Sequence, residues 1–165
     1  MPETQVTEAV IRHYLDEVPD PEIPVLSIAD LGIIREVHVA ESGVEVVITP
    51  TYSGCPAMQV IEDDIRQKLQ EKGVEKVAIR TVISPSWTTD WISEAGKRKL
   101  EAYGIAPPPR TTASKKSLMG LPDNLRCPRC HSEDVAMVSQ FGSTPCKALY
   151  QCHSCMEPFD HFKCL

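Results

Sequence analysis

The chain has 165 residues, a net charge of −6 and 42% hydrophobic residues. No apolar run nears the ~20 residues of a membrane-spanning helix, and no large basic surface is encoded to neutralise phosphates. Residues 1–106 carry 10 basic against 18 acidic side chains, residues 107–126 carry 4 against 1, and residues 127–165 carry 3 against 4. Both outer parts are therefore acidic, which argues against a nucleic-acid partner. Met1-Pro2-Glu3-Thr4 has neither a basic region nor an apolar core, so no secretion signal is read and a cytoplasmic setting is expected. Six of the seven cysteines lie between 127 and 165. Metal ligation is expected there rather than a disulfide framework.

Val6, Ala9, Val10, His13 and Tyr14 are spaced as one face of an opening helix. Pro19-Asp20-Pro21-Glu22-Ile23-Pro24 cannot continue it, because each proline biases its predecessor to extended geometry. A strand is expected from Ile33 to Val39, a turn at Glu41-Ser42-Gly43, and a second strand from Val44 to Ile48. The loop Thr49–Pro56 follows, and Met58, Ile61, Ile65 and Leu69 then recur at helical spacing up to a Gly73 cap. A third strand is expected from Val74 to Ile83. After the loop Ser84–Trp91, a helix capped by Thr88, Thr89 or Asp90 runs to Tyr103 and ends at Gly104.

This order predicts an α+β protein: a small α/β sandwich over residues 1–105 with a mixed three- to four-stranded sheet. Residues 106–125 are Pro-rich, then small and polar, and read as a linker. Residues 126–165 read as a small β module.

Two features carry chemistry. Pro56 suits a first helical position, which sets Cys55 at or beside the helix N-cap, facing unpaired N–H groups and the positive dipole end. That dipole is worth about 0.3–1 kcal/mol, too little to make a full nucleophile with no base in the loop, so no catalytic residue is assigned. A metal would supply the missing charge itself. Asp20, Glu22 and Asp30 lie on neighbouring loops as candidate oxygen ligands for iron, with turn capping as the alternative role. In the β module, Cys127-Pro128-Arg129-Cys130 and Cys152-His153-Ser154-Cys155 form two knuckles that together complete a four-thiolate site. The pattern is that of a zinc ribbon, with strands at 135–141, 147–151 and 158–165 and structural zinc as the expected metal. Cys146 and Cys164 are left over and read as buried thiols.

Asp20-Pro21-Glu22-Ile23-Pro24, Asp30-Leu31-Gly32 and Thr49–Pro56 resemble the signature of the iron–sulfur cluster assembly domain of SufT-like proteins. Trp87–Glu94, Phe141–Ala148 and Cys155–Lys163 extend the resemblance to the PaaD family of phenylacetyl-CoA 1,2-epoxidase accessory subunits, over nearly the whole chain. The resemblance implies a non-catalytic role in aerobic phenylacetate degradation. It implies help in assembling or maintaining an iron–sulfur or di-iron centre, with the oxygenase or reductase subunits as partners. Cys55 would be the functional thiol and Asp20 the second stressed position. One thiol cannot hold a cluster that takes about four, so transient iron or cluster handling calls for a homodimer or a partner. The alternatives are a rubredoxin-like electron carrier and a zinc-ribbon interaction protein.

Overall fold

The computed structural model describes residues 6–108 and 124–163 and forms two compact units, Met1–Trp87 and Thr88–Leu165. In the first unit, α1 (Glu8–Leu15) opens with the Thr7 hydroxyl accepting from Val10 N at 3.3 Å. Strands β1 (Ile34–Ala40) and β2 (Gly43–Ile48) form an antiparallel pair, and β3 (Val77–Thr81) joins β2 in parallel after the crossover helix α2 (Ala57–Glu71). The sheet order is β1-β2-β3. Helix α1 packs on α2 and β1, and α2 packs on β3.

The core follows from spacing. Ala57, Ile61, Ile65 and Leu69 recur every four residues along α2 and are all buried. Val37, Val46 and Ile79 are cross-strand partners, and Val37 and Val46 are buried among them. Each fully buried Ile or Leu contributes roughly 1.5–3 kcal/mol. In α1 the buried stripe is Ile11 and Leu15, continued by Val18, one position on from the expected face. The more apolar Ile11 and Leu15 side chains win the core, and His13 stays exposed.

In the second unit, a 3₁₀ turn (Thr89–Trp91) precedes α3 (Glu94–Tyr103). Thr88 caps the turn, and the α3 cap is Ser93, whose Oγ accepts from Gly96 N at 2.9 Å. The 3₁₀ turn consumes the caps expected for α3 and moves its start downstream. Gly104, in the left-handed conformation with φ of 90°, ends α3. Then β4 (Ile105–Ala106), β5 (Val135–Ser139), β6 (Lys147–Cys152) and β7 (Pro158–Phe162) form a four-stranded sheet in the order β4-β7-β6-β5.

The units divide after Trp87. The physical reason is the pairing of Ile105 and Ala106 with Asp160 and His161 of β7, which draws the end of α3 into the ribbon's unit. Most of the expected linker 106–125, and Cys164, lie outside the described residues.

Candidate functional site

Where β2 ends, Thr49 N donates to Ile33 O at 2.9 Å and fixes the start of the loop. Thr49 is buried, and its Oγ1 has no hydrogen-bond partner among the described residues. Gly54 is exposed with φ of 77° and makes the turn that a side chain would strain. Cys55 N then donates to Tyr52 O at 3.3 Å, and Met58 N donates to Cys55 O at 3.3 Å. Pro56 is the N-cap of α2, so Cys55 stands one residue outside the helix. Its thiol is free and half-buried between exposed Gly54 and Pro56. No side chain caps α2 and its first turn holds no acidic residue. No side chain thus offsets the positive end of α2 next to Cys55, although the Cys55 carbonyl takes one of its first amides, that of Met58.

Two of the three carboxylates, Asp20 and Asp30, accept from the backbone. Asp20, buried, accepts on Oδ1 from Glu22 N at 2.9 Å and Ile23 N at 2.7 Å. This is an Asx turn that shapes the proline-rich loop. Glu22 is half-buried on the same turn. Asp30 Oδ2 accepts from Ser27 N at 3.1 Å while Ser27 Oγ accepts from Asp30 N at 3.1 Å, a reciprocal box. Trp87, buried, donates its indole N–H to Leu31 O at 2.7 Å and pins the turn beside Asp30. Cys55, Asp20, Glu22 and Asp30 do not converge into one chelating set. Among the described residues, the group whose ligand atoms converge is the C-terminal cysteines.

That second site is built by two knuckles. His131 N donates to Cys127 O at 2.9 Å, and His131 and Met156, one after each second cysteine, adopt φ of 61° and 62° to close the turns. Ser132 Oγ and Ser154 Oγ bridge the knuckles at 2.7 Å. The sulfurs of Cys127, Cys130, Cys152 and Cys155 all lie within 4.8 Å of one another, with Cys130–Cys152 at 3.5 Å and Cys127–Cys155 at 3.7 Å. Metal–sulfur bonds of ~2.3 Å in a tetrahedron require sulfurs ~3.8 Å apart, so the four residues fit a tetrahedral metal ion. The neighbouring histidines stay outside the set: His153 Nδ1 pairs with Asp134 at 3.0 Å and His131 with Glu101 at 3.5 Å.

Charge also favours a cation. The Cys155 backbone N–H, helped by that of Ser154 and by the Cys130 sulfur, draws the Cys152 thiol down to about 6. Cys130 feels a lowering Ser132 N–H, but desolvation and the competing Cys152, Cys155 and Cys127 sulfurs push it up to about 12. The sulfurs resist taking on charge together, and a bound metal would offset it. Leftover Cys146 is buried with its sulfur 3.0 Å from Thr144 Oγ1, a packing position.

Residues 8–84 match the iron–sulfur cluster assembly protein family, and residues 111–163 match the PaaD zinc β-ribbon domain. The class is thus an iron–sulfur cluster assembly domain joined to a four-cysteine ribbon. An Escherichia coli (strain K12) protein, provisionally named as one of the subunits of a 1,2-phenylacetyl-CoA epoxidase, is 46% identical over 92% of this chain and 89% of its own length. A Porphyromonas gingivalis Fe-S protein maturation auxiliary factor is 42% identical, over 57% of this chain and 90% of its own. A solved DUF59 domain from Bacillus anthracis superposes with a TM-score of 0.53 at 27% identity, covering 56% of this chain and 90% of that one. The chain belongs to the PaaD family.

Proposed function

We propose that the protein is a non-catalytic cytoplasmic accessory factor that assembles or maintains an iron–sulfur or di-iron centre of a phenylacetyl-CoA epoxidase system. The observation that carries this reading is the free, half-buried Cys55 thiol at the uncapped start of α2, in a domain whose relatives are named as maturation factors. Cys55 is the thiol that meets iron or a cluster in transit. Asp20 and Asp30, engaged with backbone N–H groups, shape their own loops. Because one thiol falls short of the about four that a cluster takes, the remaining ligands come from a second copy or from the oxygenase or reductase subunit being served.

The four-cysteine site takes structural zinc and folds the ribbon. The knuckle residues orient the sulfurs, and the metal supplies the charge that keeps all four deprotonated.

The test is epoxidase activity in cells whose only copy carries Cys55→Ser. Activity should fall while ribbon zinc stays at one equivalent. Unchanged activity would remove Cys55 from the account. A coloured, iron-loaded ribbon in protein purified without added metal would instead favour electron transfer.

A further inference from the structure

The ribbon's sheet contains a strand that its own cysteine segment does not supply. Ile105 and Ala106, directly after Gly104 at the end of α3, pair in parallel with Asp160 and His161 of β7. Both residues are buried, and Ala106 belongs to the cluster formed by Leu125, Cys127, Ala148, Tyr150, Cys152 and Phe159. Two of those members are metal-site cysteines. His161, also buried, places Nδ1 3.1 Å from Ala106 O and packs edge-on against Tyr150 with ring centroids 5.6 Å apart. Ala106 and Leu125 are thus packed in one cluster with the second unit's metal-site cysteines Cys127 and Cys152.

We infer that Ile105–Ala106 is a clasp: the metal-bound ribbon grips the chain immediately after α3, and metal occupancy decides whether the grip holds. Size is the reason. A two-residue strand has no stability of its own, and a module of this size without its metal lacks the core to stay folded. Losing the metal dissolves β7, and with it the only pairing that β4 has among the described residues. The pairing that ties Ile105–Ala106 to the ribbon is then lost. With metal bound, Ala106 and Leu125 are held in one cluster.

The experiment uses full-length protein with a Gly/Ser-flanked site for a sequence-specific protease inserted between Ala113 and Ser114. Loaded with zinc and cut, the two pieces should elute from a sizing column as one particle, and after chelation they should separate. In the uncut protein, hydrogen exchange reads the clasp directly. Pro107 and Pro108 have no amide, so a peptide from Tyr103 to Pro108, whose first two residues lose their label, reports Ile105 and Ala106 alone. Their exchange should accelerate at least tenfold on chelation, while α2 amides keep their rates. Separation of the cut pieces with zinc still bound overturns the clasp. Rapid exchange of Ile105 and Ala106 in the zinc form overturns it as well, as does unchanged exchange after the metal is gone.

Discussion

Trp87→Phe isolates one hydrogen bond that the loop beside Asp30 depends on. The indole donates to Leu31 O at 2.7 Å, and both residues are buried. Phe keeps the apolar contact but leaves the carbonyl without its donor, a loss of about 1–3 kcal/mol. The smaller ring leaves a void worth roughly 1 kcal/mol more. The first unit should lose about 2–4 kcal/mol, which is about 30- to 1,000-fold in its opening equilibrium. Because the chain has two units, a single melting midpoint would mix them. Native-state hydrogen exchange of the buried α2 turn around Ile61–Leu69 reads the first unit alone. Trp91→Phe, in the other unit, serves as the matched control and should leave α2 exchange unchanged. If Trp87→Phe changes α2 exchange by less than threefold, the indole does not hold the Leu31 turn and the reasoning fails.

Two further outcomes follow from single side chains. Burial pushes the His161 imidazole down from 6.5 to about 4, partly opposed by the Ala106 carbonyl. Between those values the unfolded chain binds a proton that the folded one refuses, so stability falls as the pH drops, by about 2 kcal/mol at pH 5. Zinc-loaded wild type should lose that much relative to His161→Phe between pH 7.5 and 5 in denaturant titrations, and parallel curves would refute it. Gly43, at φ of 137°, stands where a Cβ would lie 2.6 Å from the Lys76 carbonyl oxygen, which accepts from Val44 N at 2.9 Å. Gly43→Ala should therefore cost about 3 kcal/mol through strain and the lost bond, visible as a lowered denaturation midpoint of the first unit.

What the sequence made legible was local. The two Cys-x-x-Cys spacings announced the four-sulfur cage, and the helical run Met58, Ile61, Ile65 and Leu69 announced α2 with Cys55 at its mouth, although Ala57 rather than Met58 is buried. The Glu41-Ser42-Gly43 turn announced the β1–β2 hairpin. The misses were long-range or reciprocal. Ile105–Ala106 is too short to show a period, and its partner lies 55 residues downstream. The Leu31–Trp87 bond joins residues 56 apart. Ser27 carried no mark of its box with Asp30, because a serine three residues before an aspartate is common in turns.

The central claim is that Cys55 handles iron. Anaerobic reconstitution of zinc-loaded wild-type and Cys55→Ser protein with ferrous iron and sulfide, followed by metal analysis and visible absorption, tests it most directly. The wild type should bind iron beyond its ribbon metal, with sulfur-to-iron charge-transfer bands, and Cys55→Ser should bind none. Equal iron and equal spectra in the two proteins would contradict the account.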